Sequence, residues 1–129
     1  MAKRLDPRVK AMSEAQLQDA IVDLAELNGW RVTFAPDWMK RLAVASMQRQ
    51  RRGDRRWPKA GTPDLIMVRD GRLLIAELKS HSGAVKPEQA EWLDAVRTVP
   101  GVEVFLWRPD EWVSGEIEGV LARAEGVAA

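Results

Sequence analysis

The sequence feature that most constrains the fold is an Asp-Gly pair, Asp70-Gly71, between two apolar runs in TPDLIMVRDGRLLIAELKS, residues 62–80. This arrangement predicts a β-hairpin with a two-residue turn, because a type I′ turn requires positive φ at both central positions. We expect its strands at residues 64–69 and 72–79.

The predicted register brings two acids together at the strand ends. Arg69 faces Arg72 at the turn, and counting back along both strands sets Asp64 opposite Glu77, with their Cβ atoms about 5 Å apart. Because side chains alternate along a strand, Lys79 shares a face with Glu77. A turn one residue longer would move one acid to the opposite face, so the pairing depends on the turn length.

Two carboxylates at this separation repel each other by roughly 3 kcal/mol at an effective dielectric constant near 20. A proton, a basic group or a metal ion can neutralise them, and Lys79 offers partial compensation. The chain has no Cys, so an all-oxygen site favours a hard cation, Mg²⁺ or Mn²⁺. The alternative is structural: Asp64 caps a strand, and Glu77 forms an exposed ion pair with Lys79.

The remaining sequence predicts a mixed α/β domain over residues 1–129, with a central mixed sheet flanked by helices in the order α-β-β-β-α-β. A helix is predicted over residues 6–30, with Ser13 and Gln16 as a capping box. The other predicted elements are a strand at 30–34, a helix at 86–99, a strand at 102–107 and a partly helical tail from residue 110, with Ile117, Val120 and Leu121 as its packing residues.

Composition excludes several classes of protein. Hydrophobic residues make up 46% and charged residues 30% of the chain, the profile of a globular protein. The first ten residues lack the apolar core of a signal peptide, and no apolar run approaches membrane-spanning length. We therefore expect a cytoplasmic protein without a membrane partner.

Two further polar residues are candidates for the same site. Glu14 opens the first helix on the stripe that carries Leu17 and Ile21, and Gln89 lies in the first turn of the helix after the hairpin, in line with Leu93. Each also has a simpler interpretation. Glu14 can stabilise a helix dipole, and a first-turn Gln can be solvated.

The ordered motifs resemble a nuclease family. Pro63-Asp64, a hairpin and then Glu77-Leu78-Lys79 resembles the PD-(D/E)xK nuclease signature. The wider set is similar to the VRR-NUC family over about residues 13–108; it comprises Glu14, GTPDLIMV, IAELKS, a loop with Gly83, PEQAEWLDAV and GVEVFLW. One departure is Lys86, which stands where this family has a small hydroxyl cap.

The resemblance implies a restriction-endonuclease-like core and divalent-metal-dependent hydrolysis of phosphodiester bonds. The small stand-alone members of the family suggest branched, Holliday-junction-like DNA as substrate, a homodimer, and a bacterial or phage-infected cell as host. The alternative is a non-catalytic DNA-binding or assembly module that retains the nuclease fold.

The resemblance also implies a role for each site residue. The metal ligands would be Asp64, Glu77 and the backbone carbonyl of Leu78. Glu14 would complete the acidic site, directly or through a water. Lys79 would orient or activate the attacking water and stabilise the charge on the phosphate, and Gln89 would position site residues or the phosphate.

Positive charge is concentrated in residues 40–59, which hold eight of the 20 Lys and Arg residues but only one of the 19 acids. Beside a nuclease site, an Arg-rich loop would contact the DNA backbone; the alternative is a solvated loop. The candidate contacts are Arg49, Arg51, Arg52, Arg55, Arg56 and Lys59. Trp57 could stack on a base or pack under its own loop, and we expect His81 to support the loop rather than bind a metal.

Overall fold

The computed structural model describes residues 5–34 and 61–124. The helices in these ranges are α1 (Pro7–Ala11), α2 (Glu14–Leu27), α3 (Pro87–Arg97), α4 (Pro109–Val113) and α5 (Glu116–Ala122). The strands are β1 (Arg31–Phe34), β2 (Leu65–Arg69), β3 (Arg72–Leu78) and β4 (Val102–Trp107). In the described part of the chain, no helix combines the length and apolar character needed to cross a membrane.

The four strands form one mixed sheet in the order β1-β2-β3-β4. The pairs β1–β2 and β2–β3 are antiparallel, whereas β3 and β4 are parallel and joined through α3. A parallel pair needs a crossover connection, and a helix supplies it here. The predicted class, a mixed α/β sheet flanked by helices, is confirmed.

The hairpin has the predicted turn. Asp70 and Gly71 both have positive φ, 46° and 81°, and Leu65 pairs with Ala76 at the other end of the ladder. Continuing this register by one residue sets Asp64 opposite Glu77. The two-residue turn and its register are therefore confirmed.

The single helix predicted over residues 6–30 is wrong near its start, where the chain divides into α1 and α2 at Met12 and Ser13. Ser13 has extended backbone, with φ −76° and ψ 163°, because it is the N-cap of α2. Its hydroxyl accepts a hydrogen bond from Gln16 N at 3.1 Å, and Gln16 Oε1 accepts one from Ser13 N at 2.9 Å. The capping box is confirmed, and its extended N-cap is the reason that α1 cannot continue into α2.

The main core lies on one face of the sheet. Leu17 and Ile21 of α2 pack with Leu74 of β3 and Leu121 of α5, and all four are fully buried. Each such side chain contributes about 1.5–3 kcal/mol of burial free energy. The predicted packing residues of the tail, Ile117, Val120 and Leu121, all belong to this core.

The turn end of the hairpin is hydrogen-bonded to the C-terminal end of α5. Arg72 forms an ion pair with Glu103 at 2.7 Å and donates hydrogen bonds to the carbonyl oxygens of Arg123 at 2.7 Å and Val120 at 3.2 Å. Its guanidinium lies 4.8 Å from the ring centroid of Trp30. These contacts satisfy carbonyl groups at the end of the helix, which have no partner within it.

Candidate active site

The acid pair lies on the sheet face opposite the main core, and it is deeply buried. Asp64 and Glu77 each expose only 1% of their surface. Asp64 Oδ2 accepts a hydrogen bond from Leu78 N at 2.7 Å, so this side chain also continues the strand pairing after β2 has ended. The expected structural role of Asp64 at a strand end and its place beside Glu77 are therefore both present.

Burial of two carboxylates costs several kcal/mol for each unless polar contacts compensate. Leu78 N supplies one contact to Asp64, and Gln89 Nε2 donates to Glu77 Oε1 at 3.3 Å. Both acids have further interactions. Strongly buried, closely paired ionisable groups are concentrated at functional sites, so this pair is the strongest candidate in the described residues.

Lys79 follows β3 on the same face as Glu77 and exposes only 7% of its surface. Its backbone N donates to Trp107 O at 3.0 Å, which fixes the start of the side chain beside β4. The alternative of an exposed Glu77–Lys79 ion pair is wrong, because both residues are buried. Within residues 5–34 and 61–124, Lys79 forms no ion pair.

Gln89 connects α3 to the acid pair. Its Oε1 accepts a hydrogen bond from Lys86 N at 2.9 Å, and its Nε2 donates to Glu77. Gln89 therefore supplies the acceptor half of a capping box, and Lys86 makes no side-chain cap at this helix start. Gln89 thus contacts the acid pair directly, through Glu77.

Gly61 brings the segment before Asp64 against the first turn of α3. A Cβ atom at this position would lie 2.4 Å from Glu88 O and 2.9 Å from Gln89 N, and the residue has φ +87°. Only glycine fits such a close backbone approach with positive φ. The segment that leads to Asp64 therefore passes beside Gln89, the residue that donates to Glu77.

Glu14 stands apart from this arrangement. It is half-buried at the start of α2 and lines an open groove of about 430 Å³ together with Ser13, Gln18 and Asp19. Among the described residues, no group of three or more Asp, Glu or His side chains is placed to hold a metal ion. The structure thus brings together Asp64, Glu77, Lys79 and Gln89, but does not show Glu14 as the third member of an acidic cluster.

The predicted DNA contacts, Arg49, Arg51, Arg52, Arg55, Arg56 and Lys59, lie outside the described residues, as does Trp57. His81 lies in the loop that follows Lys79, and its Nδ1 is 3.0 Å from both carboxylate oxygens of Asp110. This contact agrees with a role of His81 in supporting the loop.

Sequence reasoning missed Arg108. Its Nη1 donates to the carbonyl oxygens of Ser80 at 2.8 Å, His81 at 3.3 Å and Gly83 at 2.7 Å. The only signal in the sequence is that Arg108 directly follows the strand VEVFLW. This position indicates a contact with the loop only once β4 is known to lie parallel to β3, because β3 leads into the same loop.

Comparisons of the chain with protein-family models, curated proteins and solved structures give no match. A functional assignment therefore depends on the residues of the site and their geometry.

Proposed function

We propose that the chain is a divalent-metal-dependent endonuclease of the VRR-NUC type with a restriction-endonuclease-like core. It would hydrolyse phosphodiester bonds in branched, Holliday-junction-like DNA and act as a homodimer. The observation that carries the proposal is the hairpin register, which sets the buried Asp64 and Glu77 opposite each other with Lys79 on the same face.

The donor set fits Mg²⁺ or Mn²⁺. Asp64, Glu77 and the backbone carbonyl of Leu78 would hold the ion, since hard cations prefer oxygen ligands. Glu14 would contribute through a water. When bound, the ion would lower the pKa of a water molecule and offset the negative charge that develops on the phosphate.

The chain's own residues would supply the rest of the chemistry. Lys79 would hold positive charge beside the phosphate and orient the water that attacks phosphorus as the bond to the leaving oxygen breaks. Gln89 fixes the direction of the Glu77 carboxylate, and Leu78 N fixes that of Asp64. The basic residues 49–59 would contact the DNA backbone.

A second candidate is a non-catalytic DNA-binding or assembly module that retains the nuclease fold. It is favoured by the near-complete burial of both acids and by the finding that the described residues do not place a third acid with them. Cleavage separates the two candidates, because only the first requires a divalent ion and Lys79.

The test is cleavage of an end-labelled four-way DNA junction in Mg²⁺ or Mn²⁺, compared with EDTA. We expect cutting only with the metal ion. Lys79→Ala should slow cutting by about 10²–10³-fold, the effect of removing one preorganised electrostatic group, while the Kd for the junction in Ca²⁺ stays near the wild-type value.

Lys10→Ala is the matched control, because it removes the same charge from an exposed position on α1, and we expect normal cutting. Binding by the wild-type chain without cutting in any divalent ion would support the second candidate. Equal loss of cutting and binding in Lys79→Ala would assign that residue to folding or docking instead.

A further inference from the structure

We propose that Arg108 is a positioning residue that holds loop 80–83 against the side chain of Lys79 and thereby fixes the direction of the Lys79 ammonium group. The contact between Arg108 and the loop follows from the observed distances. Its effect on cleavage rests on the proposed function.

Sheet topology brings Arg108 to this loop. β3 and β4 are parallel, with Leu78 paired to Trp107, and Lys79 N donates to Trp107 O at 3.0 Å. The two strands therefore end side by side at the same edge. Lys79 leads into loop 80–83 from one strand, and Arg108 follows directly from the other.

Arg108 gathers three carbonyl groups of the loop onto one nitrogen. Its Nη1 donates to Ser80 O, His81 O and Gly83 O at distances of 2.7–3.3 Å. Its own backbone is fixed in turn, because Arg108 N donates to Glu111 Oε2 at 3.0 Å. Hydrogen bonds from a charged donor are about twice as strong as neutral ones, so the loop is held at three of its four residues.

A second tie joins the same two segments. His81 Nδ1 lies 3.0 Å from the carboxylate oxygens of Asp110, two residues after Arg108. Two residues of segment 108–110 thus hold the loop. The Arg108 contacts hold it through its backbone carbonyl oxygens, whereas the Asp110 contact holds it through the side chain of His81.

The held loop runs beside the stem of Lys79. A Cβ atom at Gly83 would lie 3.6 Å from Lys79 Cδ and 3.0 Å from Ser80 Oγ. The loop backbone therefore runs beside the lysine stem, with room between them for no more than one added methyl group. Lysine carries its charge on a flexible four-carbon stem, so a fixed loop beside the stem would limit the directions open to the ammonium group.

A purely structural role for Arg108 predicts a different result from a positioning role. Loss of a structural contact would lower stability without selectively changing Lys79. Loss of positioning would change the accessibility of Lys79 and the rate of the step in which it acts, but not the affinity for DNA.

The first experiment measures the acylation rate of Lys79 by an amine-reactive ester, followed by mass spectrometry, with the exposed Lys10 and Lys86 as internal references. We expect Arg108→Gln to raise the rate at Lys79 severalfold, and Arg108→Lys to give an intermediate rate because it keeps the charge but loses the planar fork. Arg97→Gln removes an exposed arginine from α3 and should leave the rate unchanged. A wild-type rate in Arg108→Gln would overturn the proposal.

The second experiment measures junction cleavage. Arg108→Gln should lower kcat by about ten- to a hundredfold, the scale of a small misplacement of a reacting group, with KM unchanged. Adding Arg108→Gln to Lys79→Ala should cause no further loss, because residues that act as one unit are not additive. Additive losses, or a rise in KM alone, would overturn the proposal.

Should Arg108→Gln fail to fold, Asp110→Asn weakens the second tie and must raise Lys79 acylation in the same direction; an unchanged rate there would count against the proposal. Absence of cleavage by the wild-type chain would refute the proposed function. The acylation result would still decide whether Arg108 positions Lys79.

Discussion

At the residue scale, Gln89 combines two roles that are separable by comparison with Gln16. Both residues stand at the third position of a helix and accept a hydrogen bond from the N-cap backbone, from Lys86 N and Ser13 N respectively. Only Gln89 also donates to a buried acid, Glu77. The two glutamines therefore form a natural pair of test and control.

We predict that Gln89→Leu lowers the free energy of unfolding by about 1–2 kcal/mol, since it removes a cap contact and a hydrogen bond to a carboxylate. Cleavage should fall with it, because Glu77 loses the group that orients it. Urea denaturation and junction cleavage are the measurements.

Gln16→Leu should lower stability by a smaller amount and leave cleavage intact. If both substitutions reduced cleavage equally, the Gln89–Glu77 contact would have no specific part in the site.

At the element scale, the segment before β2 passes close to the start of α3. This approach is possible because Gly61 has no Cβ and has positive φ. Gly29, after α2, has nearly the same conformation, φ +85° against +87°, but a methyl group added there would meet no described heavy atom within 4 Å. Substitution of Gly29 therefore tests backbone strain alone, whereas substitution of Gly61 tests strain together with steric contact.

We predict that Gly29→Ala lowers the free energy of unfolding by about 1–2 kcal/mol, the cost of a left-handed conformation for an L-residue. Gly61→Ala should lower it further and reduce cleavage, because the methyl group pushes the Asp64 segment away from Gln89. Thermal unfolding and cleavage measure both effects. Equal destabilisation by the two substitutions would mean that the segment yields without effect on α3.

Features that depend only on neighbouring residues are predictable from the sequence. Asp70-Gly71 specifies its turn through backbone preference alone, and the register of β2 and β3 follows from it. The sequence predicts the capping box at Ser13 but not the break before it, because residues on both sides of Ser13 are helical, in α1 and in α2. Gly61 and Arg108 were not recognised as parts of the site, since their roles depend on contacts with α3 and with loop 80–83 that no local pattern contains.

At the scale of the whole molecule, charge is divided between a basic segment and an acidic remainder. We predict that replacing Arg51, Arg52, Arg55 and Arg56 with Ala weakens DNA binding and flattens its dependence on salt. Each phosphate contact contributes about 0.9 to the slope of log K against log salt concentration. The measurement is Kd for a junction over a salt series, and an unchanged slope would remove this segment from the DNA contact.

The ion pair between Arg72 and Glu103 is largely buried, with side chains only 5% and 11% exposed, so loss of one partner would leave a buried charge. We predict that Arg72→Met lowers the free energy of unfolding by about 3–5 kcal/mol, because it leaves Glu103 buried without its partner. Urea denaturation measures the loss.

The double substitution Arg72→Met with Glu103→Leu should recover most of that loss, since it removes both charges. If the double variant were as unstable as Arg72→Met, the contacts of Arg72 with Val120 and Arg123 would be the dominant contribution instead.

The hairpin has a fastened end at Arg72 and an acidic end at Glu77, and the intervening strand separates them by about 17 Å. Substitutions that raise thermal tolerance can therefore be selected around the fastened end with little disturbance to the reactive groups. Conversely, the acidic end can be redesigned for another ion or substrate while the fastened end keeps the domain folded.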